Sequence, residues 1–463
     1  MGHHQAGYLP QAEAIYQKIL QTTPSHPDAL HLLGLIAAQR GQNEIAVELI
    51  GKAVCINPSN PTYCSNLGLA LQVQGKLEAA IESYYKALSL KPNFAEVHFN
   101  LGHALQEQGK FDAAVESYHK ALSLKPNYAE VYNNLGIVLS AQGKLDAAIE
   151  SYHKALFIRS SYAEVHYNLG NALSTQGKLD AAIESYHNAL ALKPDHADTH
   201  NNLGNALRAQ GNLDAAIESY HNAIRLDPKN DGAKHFIAAL TANTTERAPI
   251  RYIEKLFDGY ANKFDIHLVH KLEYKMPSEL VGLLKQAVDL QNGEWDVLDL
   301  GCGTGLSGLE ILPYTRQLIG VDLSTKMLAK AHVRNIYHRL VHSDLLPMMR
   351  GEKTSSYDVI IAADVFEYLG MLDGIVSEAK RLLRAGGYFM FSVESLDALP
   401  SDIIDSESKP EYKLNQLGRY AHSASYLEKL ALTYGFNSLS MISTPLRLEK
   451  GFPVIAWAAV WKS

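Results

Sequence analysis

The first half of the chain repeats itself with a period of 34 residues, which limits the folds available to it. An Asn-Leu-Gly triplet recurs at that spacing and begins at Asn66, Asn100, Asn134, Asn168 and Asn202. Single glycines and alanines recur at the same spacing, at Gly75, Gly109, Gly143, Gly177 and Gly211 and at Ala80, Ala114, Ala148, Ala182 and Ala216. Small residues let two helices approach closely, and Gly favours the end of a helix. The period therefore predicts stacked helix-turn-helix units.

This pattern resembles the tetratricopeptide (TPR) repeat. The resemblance implies an all-α solenoid over residues 1–247, with six full repeats from about 27 to 230. A partial repeat is expected before them, over residues 6–24, and a capping helix after them, over residues 231–247. Two positions depart from the pattern, because Ser160 replaces a Pro and Leu32 replaces an Asn.

Repeats of this kind form binding surfaces. Helical geometry turns Asn66, Asn100, Asn134, Asn168 and Asn202 away from the core-facing Leu that follows each of them, toward the groove. An acidic residue precedes the Asn by four positions in four repeats, at Glu96, Glu130, Glu164 and Asp198. The Asn row resembles the TPR region of O-linked N-acetylglucosamine transferases, where such a row holds extended polypeptide. The resemblance implies a protein or peptide partner on the concave face. The acids have a simpler interpretation as first-turn residues that suit the helix dipole.

Charge and composition exclude several classes of partner. The formal charge of −7 comes with no basic region, so nucleic acid is not an expected partner. Three cysteines without CxxC spacing predict neither a disulfide framework nor a metal site. No apolar stretch approaches the roughly 20 residues of a spanning helix, and no secretion signal is visible, so we expect a cytoplasmic protein without a membrane contact.

Beyond Pro249 the period stops and strands alternate with helices. Alternation of this kind predicts a parallel sheet with helices on both faces. We expect strands near 295–300, 317–322, 338–342, 357–363, 386–393, 436–443 and 453–461, with helices near 305–312, 324–334, 371–384 and 422–434. The last two strands follow one helix and a short turn joins them, which predicts a hairpin and an antiparallel final strand. Residues 248–463 are thus expected to form a second, α/β domain.

A glycine-rich turn after the first of these strands is the strongest chemical signal in this half. Gly301, Gly303 and Gly305 let the backbone pass close to a ligand and expose N–H groups at a helix start, with Cys302 inside the turn. Asp299, two residues before Gly301, is placed to meet a cationic end of that ligand.

Two more carboxylates follow at strand ends. Asp322, which ends the second strand, is suited to accept both ribose hydroxyls of an adenosine. Asp344, at the end of the third strand, is suited to accept from an adenine amino group. Leu323 and Leu345, which follow these two acids, complete the candidate cofactor-binding set.

The turn fits two cofactors. Residues 303–308 also satisfy GxGxxG, so a nicotinamide dinucleotide is an alternative, although the motif alone is weak. Asp299, Asp344 and the segment 381–392 before and within the fifth strand favour S-adenosylmethionine instead.

Residues 250–463 resemble the class I S-adenosylmethionine-dependent methyltransferases, and the whole chain resembles a bacterial family of TPR-containing methyltransferases. The resemblance includes the segments 257–268, 418–423 and 446–451. It implies a Rossmann-like fold and S-adenosylmethionine as the cofactor. It also implies that the segment 257–268 folds over the cofactor.

The methyl acceptor is less constrained. Residues 363–366 read Ala-Asp-Val-Phe. This differs from the Asn/Asp-Pro-Pro-Tyr/Phe motif of enzymes that methylate amide or base nitrogens. No cysteine lies where methylation of pyrimidine C5 needs one. The acceptor classes that remain are an oxygen and an amine, on a protein or a small molecule. Asp364 and His422 are the candidate catalytic residues; Glu367, Tyr368, Glu394, Arg419 and Tyr420 are further candidates. A structural or surface role is the alternative for each.

We therefore expect a methyltransferase that recruits its acceptor, or a protein that carries it, through the TPR groove. One alternative is a TPR scaffold with a weakly active methyltransferase fold. Another is a small-molecule methyltransferase whose repeats serve localisation or oligomerisation.

Overall fold

The computed structural model describes residues 6–288, 293–399, 410–449 and 451–463. The chain divides into two compact units, Met1–Ala216 and Ile217–Ser463.

Helices account for the chain up to residue 240. Pairs of antiparallel helices begin at residues 27, 61, 95, 129, 163 and 197. The helices are α1 (Leu9–Thr22), α2 (Pro27–Gln39), α3 (Asn43–Ile56), α4 (Pro61–Val73), α5 (Leu77–Leu90), α6 (Ala95–Glu107), α7 (Phe111–Leu124), α8 (Ala129–Ala141), α9 (Leu145–Ile158), α10 (Ala163–Thr175), α11 (Leu179–Leu192), α12 (Ala197–Gln210), α13 (Leu213–Leu226) and α14 (Asp231–Leu240). This all-helical region confirms the predicted fold of the first half.

A glycine and a tyrosine lock the two helices of a repeat together. The Gly of the Asn-Leu-Gly triplet lies against the ring of a Tyr on the second helix, and that Tyr is buried. In the fourth pair, a Cβ added to Gly136 would lie 2.5 Å from Cε1 of Tyr152. The same contact recurs at Gly68 with Tyr84, Gly102 with Tyr118 and Gly170 with Tyr186. The recurring glycine is therefore fixed by close packing.

Gly136→Ala is expected to destabilise the first unit by about 1–3 kcal/mol, because the added methyl group cannot be accommodated without moving Tyr152. Gly51→Ala is the matched control, because Gly51 lies within α3 and a Cβ there would meet nothing within 4 Å. The control should stabilise the chain by up to about 1 kcal/mol through helix propensity. Thermal unfolding followed by circular dichroism measures both, and equal stability of the two variants would contradict the packing argument.

In the second unit, helices and short turns surround one sheet. The α-helices from residue 250 onward are α15 (Ile250–Tyr260), α16 (Met276–Ala287), α17 (Leu306–Ile311), α18 (Thr325–Val333), α19 (Leu345–Gly351), α20 (Asp373–Leu382) and α21 (Ala424–Thr433). A π-helix covers Ile266–Lys271, and 3-10 turns cover Leu312–Tyr314 and Phe366–Tyr368. Within the described ranges, no helix is long and apolar enough to cross a bilayer.

The strands form one mixed sheet in the order β3-β2-β1-β4-β5-β7-β6. Their bounds are β1 (Trp295–Leu300), β2 (Thr315–Asp322), β3 (Arg339–His342), β4 (Tyr357–Ala362), β5 (Leu383–Ser395), β6 (Tyr412–Leu414), β7 (Tyr420–His422), β8 (Asn437–Glu449) and β9 (Phe452–Lys462). Strands β1 to β5 are parallel, whereas β9 pairs antiparallel with both β5 and β8. The predicted α/β fold with an antiparallel last strand is confirmed.

Both faces of the sheet are buried. Along β1, Leu298 and Leu300 belong to one apolar core and Val297 to the other, as alternation along a strand requires. Phe389 and Met390 divide in the same way along β5. Burial on both faces explains why these strands read as continuous apolar runs.

The sequence prediction missed the three-residue strands β6 and β7 and the short helix α19. It also began the last helix at residue 422, but His422 ends β7. Ser423 sets the true boundary, because its Oγ accepts the N–H of Tyr426 and caps α21.

Candidate active site

The glycine turn follows β1 at the carboxyl edge of the sheet. Gly301, Gly303 and Gly305 have φ of 62°, 53° and 95°, which glycine adopts most easily. A Cβ on Gly301 would lie 2.6 Å from Val365, so the turn also packs tightly against the segment after β4. Cys302 is buried in the turn, and burial raises the pKa of its thiol.

Asp322 joins this turn to the end of β2. Its Oδ2 accepts the N–H of Gly303 at 2.9 Å and its Oδ1 accepts the N–H of Ser324 at 2.7 Å. Burial raises the pKa of this carboxyl, and the backbone N–H groups act in the opposite direction. Each carboxylate oxygen keeps a further lone pair for a ligand hydroxyl. Leu323, beside it, is partly buried against residues that include Ile253 and Tyr420.

Asp299 lies on β1, two residues before the glycine turn. Its side chain is buried with 1% of the residue exposed, and Tyr337 donates its hydroxyl to Oδ2 at 2.6 Å. Burial raises the pKa of Asp299 to about 7. Its Oδ1 is buried and has no hydrogen-bond partner among the described residues, so the predicted contact with a cationic ligand end stays a prediction.

Asp344 is held by groups of the chain itself. Arg247 donates from Nη1 and Nη2 to its two oxygens at 2.8 and 3.0 Å, and the N–H of Leu345 adds a third bond. The guanidinium therefore orients the carboxylate, and its predicted contact with an adenine amino group stays a prediction. Leu345 is buried in the core at the start of α19.

The segment before the sheet lies against the glycine turn and the end of β2. Asp265 accepts the hydroxyl of Thr304 at 2.5 Å and pairs with Arg334 at 2.6 Å. Asp258 accepts the hydroxyl of Ser324 at 2.5 Å. Phe264 lies 3.9 Å from the position of a Cβ on Gly303. These contacts hold the segment beside the glycine turn and the end of β2, and its predicted closure over a cofactor stays a prediction.

A second polar group lies at the same edge, beyond β4 and β5. Arg447 has only 4% of its side chain exposed and lies among four carboxylates. Its Nη1 donates to both oxygens of Asp364 at 2.8 and 2.7 Å. We name this set the carboxylate cluster and define it as Asp364, Glu367, Glu394, Glu449, Arg419 and Arg447.

Burial controls the charge of this cluster. It raises the pKa of Asp364 to about 8 and that of Glu394 to about 7, although the guanidiniums act in the opposite direction. Asp364 also has a φ of 58°, a left-handed conformation that Asp tolerates better than most residues. The N–H of Asp364 donates to Ser392 Oγ at 2.8 Å, so neighbouring strands fix its position.

His422 is far less accessible than the sequence suggested. It is fully buried on β7, its Nε2–H donates to the carbonyl of Gly370 at 2.9 Å, and burial lowers its pKa to about 4. Glu394, one of the further candidates, pairs with Arg419 and Arg447. These surroundings argue against His422 as a general base.

The Asn row of the repeats lies half-buried in the first unit and joins successive repeats. Asn66 Nδ2 lies 2.8 Å from His31 Nε2 of the preceding repeat. Asn168 donates to Asn133 at 3.0 Å, and Asn202 donates to Asn171 at 2.9 Å. Part of the hydrogen-bonding capacity of the row is thus used between repeats. The acids beside it are partly paired too, as Glu130 is with Arg159 at 2.9 Å.

Sequence reasoning missed Arg247 and Arg447, which hold two of the predicted carboxylates. Arg247 lies outside the segments that carry the resemblance, and Arg447 lies within the segment 446–451 but 83 residues from Asp364 along the chain. The available signal was the Arg447 and Glu449 pair in that segment, just beyond the expected strand 436–443.

Family models agree with this architecture. A methyltransferase domain model matches residues 298–389. A tetratricopeptide repeat model matches residues 167–231, and a TPR repeat model matches 73–109, 104–143 and 138–177.

Similar proteins agree on the chemistry. A malonyl-[acyl-carrier protein] O-methyltransferase of Halalkalibacterium halodurans is 30% identical over 208 residues, 39% of this chain and 76% of that protein. A ubiquinone biosynthesis O-methyltransferase of Nitrosomonas europaea is 23% identical over 39% of this chain and 74% of its own length. A probable S-adenosylmethionine-dependent methyltransferase of Mycolicibacterium smegmatis is 33% identical over 30% of this chain and 51% of its own length. These similarities favour S-adenosylmethionine over the nicotinamide alternative. The chain belongs to the S-adenosylmethionine-dependent methyltransferases and carries tetratricopeptide repeats before its methyltransferase domain.

Proposed function

We propose that the chain transfers a methyl group from S-adenosylmethionine to an oxygen or amine acceptor that its repeats recruit. The observation that carries the proposal is a division of the sheet edge. The glycine turn and Asp322 follow β1 and β2, whereas the carboxylate cluster follows β4 and β5. Ligands of such sheets bind outside the carboxyl ends of the strands. One half of this edge suits the cofactor and the other half suits the acceptor.

The two halves have separate proposed roles. Gly301, Gly303, Gly305 and Asp322 form the cofactor side, with Cys302 and Leu323 packed behind them. Asp364 is the proposed base on the acceptor side. An oxygen acceptor is favoured, because two of the similar proteins bear the name O-methyltransferase.

The repeats are proposed to hold a protein or peptide at the Asn row. Asn side chains offer two donors and an acceptor, which suits an extended backbone. Where Nδ2 donates between repeats, as in Asn168, the Oδ1 is the atom proposed to accept a peptide N–H. A cytoplasmic location and the absence of a nucleic-acid partner stay predictions.

Replacing Asn100, Asn134, Asn168 and Asn202 together by Ala is expected to impair methylation of a macromolecular acceptor while S-adenosylmethionine affinity stays unchanged. The acceptor loses hydrogen bonds, each worth about 1 kcal/mol. Labelled methyl transfer into a cell extract measures the first effect and calorimetry the second.

The matched control replaces Glu82, Glu116, Glu150 and Glu184 by Ala. These residues recur at the same spacing but are exposed on the second helices. Loss of bridges such as Asn202 to Asn171 lowers stability in the Asn variant, so thermal unfolding accompanies both. Undiminished transfer by a folded Asn variant would make the row purely structural.

A further inference from the structure

The carboxylate cluster lies at the same edge of the sheet as the glycine turn. Asp364 begins the segment after β4, and its neighbour Val365 lies against the glycine turn at Gly301. Glu394 lies near the end of β5. Arg447 and Glu449 end β8, which the antiparallel β9 connects to β5. The cluster therefore borders the cofactor side of the sheet edge directly.

Both guanidiniums of the cluster are committed to its own carboxylates. Arg447 donates from Nε to Glu449 at 2.7 Å and from Nη2 to Glu367 and Glu394 at 2.9 and 2.6 Å, in addition to its bonds with Asp364. Arg419 Nε lies 2.6 Å from Glu394, and its Nη2 donates to Glu449 at 2.8 Å. Four carboxylates thus share two guanidiniums.

This surplus of carboxylates decides which acceptor fits. A carboxylate acceptor would add another negative charge beside four carboxyl groups whose two guanidiniums are already paired, in a buried place where such charges are costly. A hydroxyl or ammonium group would instead donate a hydrogen bond to an oxygen of the cluster. The side chains of Asp364 and Glu449, 13% and 27% exposed, are the accessible members.

We propose that the acceptor group carries its own proton, as a hydroxyl or a protonated amine, and that the accessible carboxyl of Asp364 takes up that proton. This inference rests on the proposed function. The acceptor oxygen or nitrogen forms a bond to the methyl carbon while the carbon–sulfur bond breaks, and its electron pair stays on sulfur. The O–H bond of a hydroxyl breaks as the methyl group arrives, and its proton moves to Asp364. A protonated amine instead gives its proton to Asp364 first, which frees the lone pair that then attacks the methyl carbon.

Every charged neighbour bears on the pH dependence. Asp364 faces four charged groups: Arg447, Glu367, Glu394 and Arg419. Tyr274 and Tyr368 also lie near it. Burial is the main cause of the raised pKa values of these two tyrosines, and the charge of Asp364 raises them further. The raised pKa values of Asp364 and Glu394 mean that both hold protons at low pH and accept them only as pH rises.

The chemical class of the product provides the first test. The full chain is incubated with methyl-labelled S-adenosylmethionine and a cell extract, and the labelled products are treated with mild alkali. Methyl esters of carboxylates release methanol under these conditions, whereas methyl ethers and methylamines keep the label. Base-stable label is expected. Release of most of the label as methanol would overturn the proposal, and no transfer above background would overturn the proposed function itself.

The pH profile provides the second test. The rate of the wild-type chain is expected to rise between pH 6 and 9, and Asp364→Asn should lower it about a hundredfold and remove the rise. Glu411→Gln is the control, because Glu411 pairs with Lys429 at the surface, outside the cluster. Thermal unfolding and S-adenosylmethionine affinity establish that the variants are folded. A folded Asp364→Asn variant with the wild-type rate and profile would overturn the proposed role of Asp364.

Discussion

Arg447→Met is expected to destabilise the methyltransferase unit by about 3–5 kcal/mol at pH 8, because it leaves buried carboxylates without their main cation. All three tryptophans, Trp295, Trp457 and Trp461, lie in this unit. Urea unfolding followed by tryptophan fluorescence therefore reports on it specifically. Arg316→Met is the control, since the Arg316 side chain is 61% exposed and a solvent-exposed ion pair contributes little to stability.

The loss should shrink at pH 6. Removing Arg447 raises the folded-state pKa values of Asp364 and Glu394 still further above those of the unfolded chain. An acid with a raised pKa stabilises the fold below its unfolded pKa, and this contribution is lost as pH rises through the folded pKa. The stability that Arg447→Met loses relative to the wild type is thus largest at alkaline pH. A loss no greater than that of Arg316→Met would contradict the burial of this network.

Asp322→Ala is expected to weaken S-adenosylmethionine binding more than tenfold while the protein stays folded. Two charge-assisted hydrogen bonds to ribose, worth roughly 1.5–3 kcal/mol each, are lost. Asp322 also holds the N–H groups of Gly303 and Ser324, so part of the loss comes from a looser glycine turn. Asp322→Asn separates the two effects, because it keeps the shape of the side chain and removes its charge.

Calorimetric titration measures these affinities. Asp358→Asn is the control, because Asp358 pairs with Arg384 near the amino end of β4, away from the carboxyl edge of the sheet. Its affinity for S-adenosylmethionine should match that of the wild type. Unchanged affinity in a folded Asp322→Ala chain would remove Asp322 from the cofactor site.

Local sequence signals predicted most of the fold. The TPR period reflects contacts between residues that are close in sequence, such as Gly136 with Tyr152. The long apolar strands were visible because both of their faces are buried. Strands β6 and β7 were missed because three residues are too few for a periodic signal, and their pairing depends on a turn at Gly418.

The site was predicted only in part, because some of its residues carry a local sequence signal and others are positioned by tertiary contacts. The glycine turn and Asp322 stand out because backbone geometry requires glycine and the carboxylate caps a neighbouring turn. The partner of Asp364 was invisible, because a lone Arg447 carries no signal of where the hairpin of β8 and β9 will place it. His422 was assigned a role from its ordinary pKa, whereas burial by tertiary structure decides its pKa.

The most direct test of the whole account is the formation of S-adenosylhomocysteine by the full chain in a cell extract supplied with S-adenosylmethionine. The wild-type chain and Asp358→Asn should form S-adenosylhomocysteine in an amount equal to the methyl label that reaches the acceptor. Asp322→Ala should form at least tenfold less at limiting cofactor. No formation above background by a folded wild-type chain would contradict the account and favour a TPR scaffold whose methyltransferase fold is inactive.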